Sequence, residues 1–468
     1  LCPDGPLAAC RLAAMVAVGG PPPGLSPAGT AVLASTCWIA TWWVTEAVPI
    51  PVTSLLPLVL FPALGVGSTA DAAAPYADPV VFLFLGGFLL ALAIERWGLH
   101  RRIALTILLR AGDDAGRLLL GFMVATGLLS MWVSNTATAM MMVPIGMAVV
   151  AQRQASAAGA ADVAITGPVT GTLDAGSLSA DNLDADNLGA DNLGADTPDA
   201  GALDAGTRSD ALSASDTGDA TGTASATVPG DGGSYRDSTP ARSPFGVALL
   251  LGIAYAASIG GVATIIGTPP NAILAGVVGS TLGIEIGFLQ WMALALPPAT
   301  IFLFVAWVVL RRTLPAGGGA GVGDEDSLRQ QRRALGSASA AERRVLAVFA
   351  LVVVGWLTRP FLLEPLVPGV SDPVIAIAGA VALFAVPAGR EGGEFLLSWD
   401  VTTRVPWGVL LLIGAGFSLA AAFQSSGLDG WIAEGLTVLR GVPLLVLLLA
   451  IATVVVFLSE VASNSAAA

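Results

Sequence analysis

The chain has 468 residues, 54% of them hydrophobic and only 12% charged, about half the charged share of a soluble domain, so composition places it among membrane proteins. Its formal net charge of −13 is concentrated in residues 155–243, which hold fourteen Asp and three Arg. The remainder is nearly neutral, lacks lysine altogether and has no basic stripe, which excludes nucleic acid as a partner.

From the N-terminus, Cys2, Cys10 and Cys37 fit neither a zinc ribbon nor a disulfide framework. The apolar run 7–20 lacks the basic flank and cleavage site of a signal peptide and reads as the tail of a first spanning helix that has been cut short. A span needs about 20 apolar residues, and windows at 28–44, 51–66, 80–94, 245–266, 291–310, 345–357, 374–386 and 405–423 qualify. Two further apolar stretches, 118–150 and 442–468, are each interrupted by Ser, Asn and Thr. His100 is the sole histidine. With no nucleophile elbow, His-Glu-x-x-His or phosphate loop either, enzyme chemistry finds no support.

Arginine placement sets orientation, because loops rich in Lys or Arg stay cytoplasmic. Arg96, Arg101, Arg102, Arg110 and Arg117 form one cluster; Arg311, Arg312, Arg329, Arg332, Arg333, Arg343 and Arg344 form another. Both clusters fall inside only if 118–150 enters and leaves on the same side. Counting on through three more helices puts 424–440 outside, so 442–468 enters from the opposite face. The acidic stretch repeats the pentamer Ala-Asp-Asn-Leu-Gly within 185–194. Poor in aromatics and rich in Asp, Gly, Ala and Thr, it reads as a disordered cytoplasmic insertion. Calcium binding is the alternative, although the spacing matches no EF-hand or glycine-rich nonapeptide.

A self-similarity recurs at an offset of 329 residues. It carries Gly87-Phe88 onto Gly416-Phe417, Leu90-Ala91 onto Leu419-Ala420, Gly98-Leu99 onto Gly427-Leu428, and Leu129-Ser130 onto Leu458-Ser459. It also carries Ser134-Asn135-Thr136 onto Ser463-Asn464-Ser465 without a gap. Repeats entering from opposite faces give the inverted topology of many secondary transporters, with a site near the midplane built from discontinuous helices. A channel or a sensor shares that symmetry.

Ser134, Asn135 and Thr136 interrupt an apolar stretch and suit the tip of a re-entrant hairpin, where helix N-terminal amides attract an anion and free carbonyls and hydroxyls hold a small cation. The bland reading is hydrogen bonding between packed helices. Between 258 and 271, Pro269 and Pro270 remove two backbone donors and Gly267 permits unusual backbone angles just before them, so the helix is expected to unwind there. A kink or surface loop is the alternative. Glu460, beside the second triplet, could tune cation affinity or carry a proton; an ion pair is its structural reading.

Through Thr45-Glu46-Ala47-Val48-Pro49, Phe84-Leu85-Gly86-Gly87-Phe88, Ser134-Asn135-Thr136 and Gly267-Thr268-Pro269-Pro270-Asn271, the chain resembles the divalent anion/sodium symporter family of sodium-dicarboxylate, citrate and sulfate carriers. The resemblance runs from about Gly24 to the end, the acidic insertion excepted. It implies one sodium among Ser130, Ser134, Asn135 and Gly267, and a second among Ser459, Ala462 and Asn464. It places substrate carboxylates against Ser134, Asn135, Thr136, Thr268, Pro269, Ser463, Asn464 and Ser465. Ser465 stands where the family usually has Thr, which keeps the hydroxyl and bears on substrate preference.

The resemblance also implies a homodimer in the cytoplasmic membrane whose transport domain moves against a scaffold, carrying a dicarboxylate-like anion with co-transported sodium ions. The expected fold is an all-α polytopic membrane protein with inverted repeats, two re-entrant hairpins and discontinuous helices. Its segments are first-repeat scaffold helices (1–117), a first hairpin (118–150), the acidic insertion (151–243), a discontinuous helix with the helix after it (244–310), a cytoplasmic loop (311–344), second-repeat scaffold helices (345–440) and a second, truncated hairpin (441–468). A second proline-broken helix is expected about 47 residues past Asn464, by analogy with the first repeat once the insertion is removed, so the C-terminal part reads as missing. Alternatives are a carrier of sulfate, citrate or arsenite, a proton-coupled carrier, or a non-transporting membrane sensor.

Overall fold

A computed structural model describes residues 22–112, 114–165, 243–314, 324–389 and 393–461. By contacts the chain separates into residues 1–160 with 238–468, and residues 161–237; apart from the last residues of one helix, the elements below belong to the first unit. Every element of length is a helix, and among the described residues the one β-type pairing is an isolated bridge between Pro387 and Phe395.

The first helix, α1, is Pro27–Thr45. The window 51–66 does not form one helix. Prolines at 49, 51 and 57 supply no backbone N–H, and the stretch divides into a short turn, Ile50–Thr53, and α2, Leu56–Ala63. There follow α3 (Pro79–Arg96), α4 (Leu99–Ala111), α5 (Ala115–Ser130) and α6 (Asn135–Ile165). After the insertion come α7 (Pro244–Val262), α8 (Pro269–Leu282) and α9 (Phe288–Arg312). The remaining principal helices are α10 (Asp324–Ala334), α11 (Ala340–Thr358), α12 (Asp372–Ala385), α13 (Trp407–Ser426), α14 (Leu428–Gly435) and α15 (Leu444–Val461).

Several helices start where a short polar residue meets proline. Ser26, Asp78 and Ser243 accept hydrogen bonds from the backbone N–H groups of Gly29, Val80 and Gly246 at 2.9, 2.8 and 3.0 Å. Each is followed by a proline at the first helical position, where no donor is needed. Five of the described helices are long and apolar enough to cross a membrane: Pro79–Arg96, Pro244–Val262, Phe288–Arg312, Ala340–Leu366 and Trp407–Ser426. Along α9 the side chains of Leu294, Ile301, Phe302, Phe304 and Val309 are exposed, an apolar row suited to lipid.

The sequence repeat has a structural counterpart. The offset of 329 carries Leu99 to Leu428, the first residues of α4 and α14, and Ala115 to Leu444, the first residues of α5 and α15. Gly98 and Gly427, the matched glycines ahead of α4 and α14, both adopt left-handed backbone, with φ of 67° and 74° and ψ of 15° in each. A side chain is strained in that region and glycine is not.

Contacts along α7 give the direction of its neighbours. Gly252 abuts Leu119 and Met123, and Gly260 abuts the Gly127 backbone, so α5 and α7 run parallel. Gly261 abuts Asn135, whereas Gly146 abuts Leu249 and Ile253, so α6 runs antiparallel to both. The pair α5–α6 is therefore a hairpin laid along α7, and α6 returns to the end from which α5 set out. It continues to Ile165, past residue 150, where the sequence reading ends the hairpin.

Both arginine clusters lie at that end. Arg102 donates to the carbonyls of Gly336 (2.9 Å) and Leu335 (3.1 Å) and pairs with Glu342 at 3.0 Å, with both charged side chains 10% exposed. Glu342 in turn accepts from Ser339 N at 2.8 Å, closing a capping box at the start of α11. Trp307 Nε1 donates to Gly116 O at 2.8 Å, fixing the arginine-bearing end of α9 against the start of α5. Members of the two arginine-bearing segments are thus joined by direct contact.

Most of the buried apolar residues fall into two cores. One is built from α3, α8, α9, α11, α12 and α13 around Phe84, Phe288, Trp356 and Ile413. The other packs α4 to α7 around Leu105, Leu118, Phe122, Met123 and Leu249.

Candidate functional site

Two helix breaks face each other. α5 ends at Ser130 and α6 starts at Asn135; α7 ends at Val262 and α8 starts at Pro269. The second break follows from local chemistry. Pro269 and Pro270 occupy the first turn of α8, and Thr268 before them is extended (φ −150°, ψ 144°), as a residue preceding proline prefers. Gly267 takes no left-handed angle. The requirement for glycine is steric instead: a Cβ there would lie 2.3 Å from the Gly261 carbonyl oxygen.

The carbonyls freed at the end of α7 are gathered by one side chain. Asn271, only 6% exposed, donates its amide to Thr264 O at 2.7 Å and Gly261 O at 3.0 Å, with Val262 O at 3.4 Å. Val262 O also accepts from Trp291 Nε1 at 3.0 Å. Fully buried Thr264 reaches across to donate to Met131 O at 2.5 Å, tying the second break to the first.

Between the breaks lies a cluster of oxygens. Ser130, fully buried, has its Oγ 2.7 Å from Asn135 Oδ1 and 2.6 Å from Ala257 O. A hydroxyl has one proton to give, so it serves one of these acceptors and leaves the other oxygen facing a neighbouring oxygen. The cluster brings together neutral oxygens of a hydroxyl, an amide and a carbonyl, the kind of ligand a small cation can use. Asn135 Oδ1 is pressed against Gly261, where an added Cβ would fall 2.3 Å from it. No residue in 126–138 or 257–275 carries an ionisable side chain, so these segments offer a cation neutral oxygens alone.

Ser134 Oγ accepts from Ala137 N at 3.3 Å, capping α6. Ser134 and Thr136 are exposed, while Thr268 and Pro269 are half-buried at the start of α8. The N-termini of α6 and α8 contribute partial positive charge beside these hydroxyls, and the C-termini of α5 and α7 contribute carbonyls. A buried layer suited to a cation therefore adjoins a more open layer suited to a carboxylate.

Of the residues singled out from sequence, Ser130 and Asn135 are in direct contact, and Gly267 joins them through Gly261. Ser134 and Thr136, which are exposed, and Thr268 and Pro269, which are half-buried, stand beside them at the starts of α6 and α8. Ser459 lies within α15, and its side chain is outside the described residues, as is that of Glu460. Ala462, Ser463, Asn464 and Ser465 also lie outside the described residues. Sequence reasoning missed Gly261, Thr264 and Asn271 as site-forming residues. The signal for the last two was available, since both are polar residues in an apolar run flanking a proline pair.

The sodium:sulfate symporter transmembrane region matches residues 7–468. The sodium-dependent dicarboxylate transporter SdcS of Staphylococcus saprophyticus is 37% identical over 458 residues, covering 96% of this chain and 72% of that protein. The sodium-dependent dicarboxylate transporter SdcS of Staphylococcus aureus strain USA300 is 35% identical over 451 residues, covering 94% and 71% respectively. With the apolar helices, the paired breaks and these relatives taken together, the chain is a multi-pass membrane protein that belongs to the sodium:sulfate symporter family.

Proposed function

We propose that this protein couples the movement of sodium to that of C4-dicarboxylates or closely related small anions across the cytoplasmic membrane. The observation that carries the reading is the Ser130 hydroxyl held within 2.7 Å of two acceptor oxygens with one proton to share. Such a buried cluster of neutral oxygens suits a small cation. A titratable group, which proton coupling would need, is absent from 126–138 and 257–275. The names of the relatives support sodium and a dicarboxylate.

In this reading Ser130, Ser134, Asn135 and the backbone at Gly267 bind the first sodium, and Ser459, Ala462 and Asn464 contribute to a second. Substrate carboxylates are met by Ser134, Asn135, Thr136, Thr268 and Pro269, with Ser463, Asn464 and Ser465 from the second repeat. Sodium in the buried layer offsets carboxylate charge in the open layer beside it and draws in the carbonyls that shape the break. Substrate then binds to a site that sodium has ordered, and this is the physical content of coupling.

The depth of the break suits such a role. The 16 residues of α5 rise about 24 Å, short of the ~30 Å hydrocarbon thickness, which supports a hairpin that enters the membrane without crossing it. The second hairpin at 441–468, the cytoplasmic placement of 151–243 and a homodimeric assembly belong to the same proposal. Mass measurement in detergent tests the last.

The functional test is uptake of labelled succinate by the natural full-length protein in proteoliposomes, with and without an inward sodium gradient. Sodium-stimulated uptake that Asn135→Ala abolishes is the expected result. Uptake insensitive to sodium, or driven by a proton gradient alone, overturns the coupling. Uptake of sulfate in preference to succinate overturns the substrate class.

A further inference from the structure

Trp132 lies in the short connection between Ser130 and Ser134, and its ring does not face the oxygen cluster's own helices alone. It stacks on Phe288, the first residue of α9, with centroids 5.8 Å apart and planes inclined by 22°. It is parallel to Trp356 of α11 at 6.3 Å and 2°, and it meets Phe349 of α11 edge-on at 4.9 Å and 87°. Phe288 and Trp356 stack on each other at 4.4 Å, and both are fully buried.

This aromatic box is fastened from behind. Trp356 Nε1 donates to Asp372 O at 2.9 Å, and Asp372 Oδ2 accepts from Phe288 N at 2.7 Å. The other carboxylate oxygen, Oδ1, pairs with Arg359 Nε at 2.7 Å. Three helices that supply no residue to the first break, α9, α11 and α12, are thereby joined in this conformation into one receptacle for the Trp132 ring. The connection is pinned at Met131 O by Thr264 and at the next residue by this ring.

The geometry points to Trp132 as the positioning residue for the first cation site: an aromatic anchor that holds the connection between α5 and α6 against the α9–α11 wall, so that Ser130 and Asn135 converge before sodium arrives. The inference rests on the sodium-coupled reading above and adds to it a residue whose side chain has no oxygen to offer the ion. Without the anchor, sodium must order the connection itself, and its apparent affinity falls. With ordering complete at saturating sodium, the maximal rate is retained.

The experiment compares wild type, Trp132→Ala, Trp132→Phe and Phe349→Ala in the natural full-length protein. Two readouts are taken: the sodium half-saturation of succinate uptake, and the sodium concentration that half-maximally raises the thermal midpoint in detergent, with choline as the control ion. Each aromatic pair contributes enough for Trp132→Ala to raise both half-saturations by about fivefold or more. Trp132→Phe, which returns a ring to the box, restores them to within about twofold. Phe349→Ala shifts them in the same direction from the opposite wall. It also serves as the test if Trp132→Ala does not fold.

A merely structural role would lower the maximal rate in proportion to the folded protein and leave both half-saturations unchanged; that result in Trp132→Ala and Phe349→Ala overturns the proposal. If wild-type uptake and thermal midpoint both ignore sodium, the functional reading fails first and this inference with it. If wild type responds and the variants match it, this inference alone fails.

Discussion

Replacing Gly261 by alanine separates function from stability at this site. The new Cβ would fall 2.3 Å from Asn135 Oδ1 and 3.0 Å from its Cγ and Nδ2, but meets a side-chain amide rather than backbone. The amide can rotate away, and the loss is then the Ser130–Asn135 hydrogen bond, about 0.5–1.5 kcal/mol. Against this, Ala at a helical position gains roughly 0.5–1 kcal/mol over Gly, so thermal stability stays close to wild type. The cation loses an oxygen. By comparison with a hydrogen bond to a charged partner, about 1.5–3 kcal/mol, sodium half-saturation rises on the order of 10- to 100-fold. The assay is succinate uptake over a sodium titration, beside thermal unfolding of the same preparation. A half-saturation within twofold of wild type would refute the assignment of Asn135 Oδ1 to the cation, whatever happens to stability.

Gly267→Ala behaves differently, because its Cβ meets the Gly261 carbonyl, carbon and Cα at 2.3–2.9 Å, atoms that move only with the backbone. It is expected to cost about 1–3 kcal/mol of stability as well as sodium response, read as a lowered thermal midpoint. Asn271→Ala leaves buried carbonyls at the end of α7 without a donor and is expected to cost about 1–3 kcal/mol, with Asn271→Asp no better because a carboxylate donates nothing. Arg102→Met strands the buried Glu342 carboxylate and is expected to cost about 3–5 kcal/mol; adding Glu342→Gln recovers part of this in a double-mutant cycle, and full additivity would refute the pairing.

The spanning helices were legible because apolar length is itself the signal, and the start sites were legible because Ser or Asp before Pro is a capping chemistry. The matched offset was legible too, and it holds down to the two left-handed glycines and the first residues of α4, α5, α14 and α15. The 51–66 window misled because apolar content says nothing of prolines at 49, 51 and 57, which divide the stretch. The first oxygen cluster was only half legible. Ser130 and Asn135 stand out as polar residues in apolar surroundings, but Ala257 enters through its carbonyl, and a backbone group has no signature in sequence. The aromatic box was invisible for another reason: Trp132, Phe288, Phe349 and Trp356 come from three distant segments, and an aromatic residue in a membrane helix is unremarkable until its neighbours are known.

The absence of ionisable side chains around the first break has a consequence for the energetics of return. A transmembrane voltage does work of about 2.3 kcal/mol per elementary charge per 100 mV. In the proposed cycle, residues 126–138 and 257–275 bring no fixed charge to the element that moves. On that proposal the emptied segments would recross with no charge of their own for the voltage to act on, and the electrical work of the cycle would fall on the bound sodium and substrate. A membrane potential, negative inside, would then act on net charge carried inward by the cargo, while leaving the unloaded half-site indifferent.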